Sequence, residues 1–254
     1  MLENFFSKSR KRASAPPGLR IYAIGDIHGC RAELNALTAR IEADAADAEA
    51  RNGVRAQLVF LGDYVDRGPD VKGVIDALLT IKTRRPDTVF LKGNHEAAML
   101  DFLDHPEDLP DWLDWGGRET MLSYAPSAAA AAGPDNRKAA AALEAAIPAP
   151  HMAFFRSLKL YHEAEDYLFV HAGVRPGRPL AEQEEQDLLW IRSSFHNARP
   201  PLRPGRVVVH GHQPYDRPVD AGWRIGIDTG VYYSGMLSAV ALEGARRWFI
   251  SAKA

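Results

Sequence analysis

The sequence lacks several features that would assign it to a narrow class of protein. Cys30 is its only cysteine, so no intrachain disulfide bond can form. No apolar run approaches the roughly 20 residues that span a bilayer, and the formal net charge of −2 gives no general attraction for nucleic acid. At the N-terminus the basic residues follow the apolar ones, which is the wrong order for a secretory signal. We therefore expect a cytoplasmic protein with no membrane and no nucleic-acid partner.

The length and composition are those of a globular protein. The 254 residues, of which 46% are hydrophobic and 25% charged, suffice for one large α/β domain or two small ones. Residues 1–18 are polar and end in Pro16-Pro17-Gly18, which predicts a disordered tail. A solvated tail is favoured over a basic anchor for an acidic partner. The folded part is predicted to begin at Leu19.

Apolar runs alternate with helical periodicity along the first hundred residues. Leu34, Leu37 and Ile41 recur on one helical face, and residues 71–84 form a second helical pattern. This β-α-β-α-β order predicts a parallel sheet with helices against it. Residues 97 to about 160 predict a helical insertion with Trp112 and Trp115 in its core. Strands are expected at 20–24, 58–61, 88–91, 167–170, 206–209, 224–227, 236–242 and 247–250.

Polar residues follow the predicted strands. The run 58–61 ends at Gly62 and leads into Asp63, Asp66 and Arg67, as expected at a site formed by the ends of parallel strands. A mixed set of carboxylate, amide and imidazole ligands suits Mn, Fe or Zn. Two ions roughly 3.5–4 Å apart that share a carboxylate would use the whole set apart from His95. The other strand ends carry Asp26, His28, Asn94, His95, His171 and His212.

The motifs, taken in order, resemble those of a known family. Gly25-Asp26-Ile27-His28-Gly29, the stretch 62–68 and Gly93-Asn94-His95-Glu96 are similar to the signature motifs of the calcineurin-like metallophosphoesterases. The likeness is strongest to the phosphoprotein phosphatase branch, which includes bacterial and phage serine/threonine phosphatases. Three later motifs also match, so the resemblance covers about residues 20–243. These later motifs are His171-Ala172-Gly173, Gly211-His212-Gln213-Pro214 and Asp228-Thr229-Gly230.

The resemblance implies both a fold and a metal centre. The fold is α/β, with mixed β-sheets flanked by helices in a four-layer α/β/β/α sandwich, and one domain over 19–254 carries the helical insertion at about 97–160. Two divalent ions are implied, with Mn expected and Fe or Zn as alternatives. A hydroxide that bridges them would attack phosphorus in line. Asp26 and His28 would hold the first ion, Asp63 would bridge both, and Asn94, His171 and His212 would complete the second.

The resemblance also assigns the residues that handle the phosphoryl group. Arg67 and Arg192 would bind its oxygens through planar guanidinium groups. His95 would protonate the leaving group, and Asp66 would orient His95. Two structural alternatives stay open, because Arg192 also fits a surface salt bridge and Asp66 also fits a helix cap.

A neighbouring histidine complicates the choice of the last ligand. His210 lies two residues before His212, and an extended chain turns both side chains the same way. The resemblance favours His212, which follows the motif glycine. We expect Gly211 to let the chain bend there.

Two substrate classes fit these motifs. The leading interpretation is a metal-dependent phosphatase for phosphomonoesters, in particular phosphoserine and phosphothreonine in proteins. The alternative is a hydrolase of dinucleoside polyphosphates such as diadenosine tetraphosphate, a group that usually lacks the Asp66-Arg67 pairing. Glu96 also favours the protein phosphatases. A non-catalytic binding module is disfavoured because no ligand is missing. The expected partner is a phosphorylated protein or a small phosphoester.

Overall fold

Two five-stranded sheets organise the chain. The computed structural model describes residues 12–108, 110–127, 135–198 and 206–254. The first sheet has the order β10-β9-β1-β2-β3, and the second has the order β4-β5-β6-β8-β7. The strands are β1 (Leu19–Ile24), β2 (Arg55–Phe60), β3 (Val89–Phe90), β4 (Tyr161–Ala164), β5 (Tyr167–Val170), β6 (Val207–His210), β7 (Val219–Asp220), β8 (Arg224–Gly226), β9 (Leu237–Glu243) and β10 (Arg246–Ala252).

In each sheet three neighbouring strands are parallel, so their carboxyl ends lie at the same edge. β1, β2 and β3 pair in parallel, with β9 and β10 antiparallel beside β1. In the second sheet β5, β6 and β8 are parallel, while β4 and β7 run antiparallel at its edges. The sequence predicts all six parallel strands but not the short strands β4 and β7.

The helices connect these strands. The short helices α7 and α8 and the turn α9 lie in the second half of the chain. In the described part of the chain, none of the helices combines the length and hydropathy needed to cross a lipid bilayer. The helices are α1 (Arg31–Asn52), α2 (Val71–Arg84), α3 (Asn94–Asp104), α4 (Gly117–Tyr124), α5 (Asn136–Ala146), α6 (Ala149–Arg156), α7 (Glu185–Trp190), α8 (Ser193–His196) and α9 (Val231–Ser234).

The two sheets pack face to face, and helices cover their outer faces. Ile21 and Val59 of the first sheet share one buried cluster with Phe169, Val209 and Ile225 of the second. Side chains that alternate with these on β1 and β2 point the other way, as the period of two in a strand requires, and pack with α1 and α2. The second sheet packs its outer face against α7 and α8. The expected four-layer α/β/β/α sandwich is confirmed.

The predicted insertion is helical and packs onto the first sheet. Trp112 and Phe154 are fully buried in the same cluster as the sheet residues. The Tyr124 hydroxyl lies 2.8 Å from His151 Nδ1, and His151 Nε2 lies 3.0 Å from a carboxylate oxygen of Asp76, so α4 and α6 are tied to α2. The alanine run at 128–132 lies outside the described residues.

The predicted tail is in contact with the domain over its described part. The Ser14 N–H donates to the Asp166 carboxylate, and the Ala15 N–H donates to the Gly244 carbonyl. Ala15 is buried. The ordered chain therefore starts before the predicted boundary at Leu19, because these backbone groups pair with two turns of the sheets. Residues 1–11 lie outside the described part.

Candidate metal centre

The carboxyl ends of the parallel strands bring the predicted ligands together. Six parallel strands from two packed sheets end at one edge, which is where α/β proteins place their sites. Every predicted metal ligand is buried there, together with one carboxylate to which the sequence analysis gave no role, Asp228. The predicted ligands follow their strands as Asp26 and His28 (β1), Asp63 (β2), Asn94 (β3), His171 (β5) and His212 (β6), and Asp228 follows β8.

Asp63 lies between two groups of histidines. Its Oδ2 is 3.5 Å from His28 Nε2, and its Oδ1 is 3.5 Å from His171 Nε2. The ligand atoms of His28, Asp63 and His95 lie within 4.8 Å of one another, as do those of Asp63, His171 and His212. Each oxygen of the Asp63 carboxylate therefore faces a different group.

The hydrogen bonds of two histidines fix which ring nitrogen carries the proton. The backbone carbonyls of Val65 and Leu61 accept hydrogen bonds from Nδ1 of His28 (2.9 Å) and of His171 (3.0 Å). Burial lowers the pKa of both rings, to about 3 for His28, so the rings are neutral. Each Nε2 therefore presents a lone pair, which is the arrangement that metal-ligating histidines adopt.

The atoms around Asn94 show whether these residues could hold a cation. His171 Nε2 and His212 Nδ1 both lie 2.8 Å from Asn94 Oδ1. Since the proton of His171 is on Nδ1, its Nε2 and the amide oxygen are two acceptors at contact distance. Nε2 of His212 is buried and has no partner among the described residues. A positive ion satisfies such facing acceptors, so this donor set fits a divalent metal.

Crowded carboxylates point to the same conclusion. Both oxygens of Asp26 accept a hydrogen bond from the His212 backbone N–H, at 3.0 and 3.2 Å. Burial, followed by the charges of Asp228 and Asp63, raises the pKa of Asp26, and burial raises the pKa of Asp228 to about 6. Three carboxylates packed this closely without a cation repel one another. A divalent ion inverts that balance and favours the charged forms.

Backbone strain is concentrated in the loops that carry these ligands. Among the described residues, six that are not glycine have a positive φ, and five of them belong to the predicted site. The left-handed conformation is costly for side chains with a Cβ, so it persists only where the surroundings enforce it. The sixth, Glu165, lies in the turn between β4 and β5. The five are His28 (44°), Asp63 (51°), Asp66 (70°), Arg67 (67°) and His212 (61°).

Glu96 enforces the strained loop after β2. Its buried carboxylate accepts hydrogen bonds from the backbone N–H groups of Gly93 (2.9 Å), Asp63 (2.9 Å), Tyr64 (2.7 Å) and Val65 (3.1 Å). Burial, followed by the charge of Asp63, raises the pKa of Glu96 to about 7, while the backbone donors oppose the rise. Gly93 allows the close approach of the two loops, because a Cβ there would collide with Asp63. The sequence analysis identified Glu96 but not this role.

The proposed acid His95 is held by Asp66. His95 Nδ1 lies 2.6 Å from Asp66 Oδ2. Burial lowers the pKa of His95, but the charges of Asp63 and Asp66 outweigh burial and raise it. Asp66 does not cap α2, because the Asp70 side chain accepts the hydrogen bond from the Gly73 N–H. The alternative role for Asp66 as a helix cap is therefore wrong.

Two residues of the helical insertion hold Asp66 in turn. Trp112 Nε1 donates to Asp66 Oδ2 at 2.9 Å, and the Thr120 hydroxyl donates to Asp66 Oδ1 at 2.6 Å. The Thr120 hydroxyl also accepts a hydrogen bond from the Asp66 backbone N–H at 2.9 Å. Both residues are fully buried. The prediction that Trp112 lies in the core is correct, but the same prediction for Trp115 is wrong, because Trp115 is exposed. The sequence gives no sign of the two contacts to Asp66, because residues 46 and 54 positions apart carry no local pattern.

The two arginines reach the site from different loops. Arg67 directs Nη1 to His28 Nε2 (3.3 Å) and Nη2 to His95 Nε2 (3.0 Å), so it lies between a predicted metal ligand and the proposed acid. Arg192 is exposed at the start of α8 and donates to Gln213, the residue after His212, at 3.3 Å. Both guanidinium groups thus lie beside predicted ligands.

The structure separates the two neighbouring histidines. His212 reaches Asn94, whereas the ring of His210 is buried 5.1 Å from the His196 ring and 5.3 Å from the Phe195 ring. The bend lies at His212 itself, which has the positive φ. The expected bend at Gly211 is therefore wrong, and Gly211 is required because a Cβ there would collide with Asp26.

Comparisons with known proteins show what this chain resembles. Residues 19–235 match the family model of the calcineurin-like phosphoesterases. The asymmetrical bis(5'-nucleosyl)-tetraphosphatase PrpE of Bacillus mycoides is 23% identical over 85% of this chain and 88% of its own length. Serine/threonine-protein phosphatase 1 of Salmonella typhimurium is 26% identical over 92% and 96%. A crystal structure of a putative diadenosine tetraphosphatase superposes with a TM-score of 0.61 at 24% identity, over 94% of this chain and 98% of the other.

The choice between His210 and His212 is testable by metal content. We expect His212→Ala to lower the amount of Mn that the purified protein retains, because it removes a ring that contacts Asn94. His210→Ala should retain as much Mn as the wild type, since its ring packs against Phe195. Elemental analysis after gel filtration measures both. Depletion in the His210 variant with full metal in the His212 variant would reverse the assignment.

The contact between Trp112 and Asp66 predicts a loss of rate without a loss of fold. Trp112→Phe keeps the ring in the core but removes an N–H that donates to a buried carboxylate. A hydrogen bond to a charged group contributes about 1.5–3 kcal/mol, so we expect turnover of a phosphomonoester to fall by about 10- to 100-fold. Trp248→Phe on β10 is the control, since Trp248 packs under Arg20 and Arg246. An equal loss in both variants, with equal melting temperatures, would contradict the role of Trp112.

Proposed function

The chain belongs to the calcineurin-like phosphoesterase family, and we propose that it hydrolyses dinucleoside polyphosphates with the help of divalent metal ions. The observation that carries the chemistry is the position of Asp63. Its carboxylate faces Nε2 of His28 through one oxygen and Nε2 of His171 through the other. A residue in this position suits a carboxylate that is shared by two ions.

We infer two ions, with Mn as the expected metal. Asp26 and His28 would hold one with Asp63, and Asn94, His171 and His212 would hold the other with Asp63. Oxygen and imidazole ligands suit Mn, Fe and Zn alike. Bound ions supply Lewis acidity, which activates water and neutralises charge on phosphoryl oxygens.

The remaining residues of the site bind the substrate and supply a proton. Arg67 lies between His28 and His95, so its guanidinium is placed to bind phosphoryl oxygens of a group held at the ions. Arg192 supplies a second, exposed guanidinium beside His212. Asp66 holds His95 through Nδ1, so Nε2 is the ring nitrogen that is left to deliver a proton. His95 therefore fits a general acid for the leaving oxygen.

The preferred substrate class rests on the relatives. The PrpE protein of Bacillus mycoides, named as a bis(5'-nucleosyl)-tetraphosphatase, matches most of both chains. This support for dinucleoside polyphosphates is at least as strong as that for phosphoproteins, which the sequence analysis ranked first. A relative named as a serine/threonine-protein phosphatase also matches along nearly the full length.

A specific observation keeps protein phosphatase activity as a second candidate. A phosphate leaving group needs little protonation, whereas an alkoxide from serine or threonine needs an acid. The buried pair of Asp66 and His95, supported by Trp112 and Thr120, is an elaborate arrangement for an acid. Its presence favours a poor leaving group.

Metal removal and substrate choice test the proposed function together. We expect chelator-treated protein to be inactive and Mn to restore it, because the charge that activates water is then absent. The Mn-loaded protein should hydrolyse diadenosine tetraphosphate with a higher kcat/KM than any member of a phosphoserine and phosphothreonine peptide panel. Liquid chromatography of the products measures the former, and phosphate release measures the latter. Full turnover by metal-free protein would reject the mechanism, and a preference for peptides would establish the second candidate.

The role of His95 predicts a dependence on the leaving group. His95→Asn should lower turnover of a phosphoserine peptide by roughly 10²–10⁴, the usual contribution of a general acid. The loss should be smaller for diadenosine tetraphosphate and for nitrophenyl phosphate, whose leaving groups need little protonation. Bound Mn, measured by elemental analysis, should be unchanged. Equal losses on all three substrates would remove His95 from the role of acid.

A further inference from the structure

Exposed aromatic side chains gather beside the metal centre. Six large apolar side chains are clearly exposed among the described residues, and three of them lie here. They are Trp115 (38% exposed), Tyr232 (43%) and Tyr233 (62%). Single exposed apolar side chains are normal on a protein surface, whereas a cluster of them beside a polar site is typical of a binding surface.

The tyrosine pair lies on the side of His28. The Tyr232 ring is 5.5 Å from the His28 ring, and the Arg67 guanidinium carbon is 4.8 Å above it. Tyr233 packs edge-on against Tyr232, with ring centroids 4.9 Å apart. The pair therefore borders the guanidinium that is placed to bind phosphoryl oxygens.

The support of the tyrosine pair is rigid. Both residues belong to α9, which lies between Gly230 (φ 60°) and Gly235 (φ 66°). The Thr229 hydroxyl donates to the Met236 carbonyl, and the Ser234 hydroxyl donates to the Thr229 carbonyl. These hydrogen bonds join the two ends of the turn. A ring on such a turn loses little conformational entropy when a flat ligand stacks on it.

A tryptophan pair lies on the side of His212. The Trp190 ring is 6.3 Å from the His212 ring, and Trp115 packs edge-on against Trp190 at 5.8 Å. The Trp115 carbonyl also accepts a hydrogen bond from Arg67 Nε at 3.4 Å. His28 and His212 belong to the two different groups that Asp63 joins. One aromatic pair therefore accompanies each group.

We propose that the two aromatic pairs are nucleobase sites, one for each end of a dinucleoside polyphosphate whose phosphates lie at Arg67 and the metal ligands. This inference rests on the proposed function and specifies how its substrate is recognised. A nucleobase offers a flat π-face that stacks on Tyr or Trp irrespective of its identity. A phosphate chain with a base at both ends matches a charged centre that is bordered by two aromatic pairs, whereas a phosphoserine peptide has no such pair of bases.

The binding of a base can be separated from the binding of phosphate. AMP and inorganic phosphate are titrated by calorimetry into the Mn-loaded wild type, Tyr233→Ala and Trp115→Ala. We expect the ratio of the two dissociation constants to shift against AMP by about 10-fold in each variant, as for the loss of a base stack. The side chains of Tyr233 and Trp115 are chosen because Tyr232 contacts His28 and Arg67 directly.

Matched controls exclude general damage. Tyr233→Phe retains the ring and should bind AMP as the wild type does. Phe249→Ala removes an exposed ring from β10 and should leave both constants unchanged. Equal weakening of AMP and phosphate in the alanine variants, or wild-type AMP binding no tighter than phosphate binding, overturns the inference. So does weakening of a phosphopeptide with AMP binding intact, which would make the rings a peptide site.

Failure of this inference is distinguishable from failure of the proposed function. Hydrolysis of diadenosine tetraphosphate by the wild type is measured independently of AMP binding. If hydrolysis occurs and the ratio of constants does not shift in the variants, only the base sites are rejected. If the ratio shifts and diadenosine tetraphosphate is not cleaved, the base sites stand and the assignment of that substrate is rejected.

Discussion

The four hydrogen bonds to Glu96 are the constraint on which the site depends. They join the loop after β3 to the loop after β2, so that two separate motifs form a single unit. The positive φ of Asp63 follows from this clamp, because its own N–H and those of the next two residues must all point at one carboxylate. With the backbone so held, the Asp63 side chain projects between the two histidine groups. Local strain of about 1–3 kcal/mol per residue is thereby offset by buried charge-assisted hydrogen bonds.

The helical insertion belongs to the same mechanism rather than to the periphery. Trp112 and Thr120 saturate the carboxylate of Asp66, which in turn holds His95. A polar group that is buried without partners is costly, so these donors stabilise the Asp66 side chain in its position beside His95. The insertion therefore helps to hold the proposed acid in place. It also presents the carbonyl of Trp115 to Arg67, so the same segment contacts the two neighbouring residues Asp66 and Arg67.

The sequence predicts what depends on local pattern and misses what depends on packing. Apolar runs predict the parallel strands, and polar residues at their ends predict which side chains gather at one site, because strand ends in a parallel sheet share an edge. The sequence does not predict the turn at Glu165, because the residue with positive φ there is a glutamate and not the glycine that usually marks such a turn. The sequence also gives no sign that Asp228 raises the pKa of Asp26. This effect requires the ends of β1 and β8, which belong to different sheets, to come together in the fold. The bend at His212 was assigned to Gly211, where the physical need is clearance for Asp26.

The contacts of Arg67 link the charge of the centre to the binding of an anion. In this structure its N–H groups point at Nε2 of His28 and of His95, both acting as acceptors. A cation held by His28 would use that lone pair, and a proton on His95 would occupy the other, so neither nitrogen would then accept a hydrogen bond. Arg67 would be free to direct its planar donors at phosphoryl oxygens. The ring of Tyr232 beneath the guanidinium keeps it at the site as these partners change.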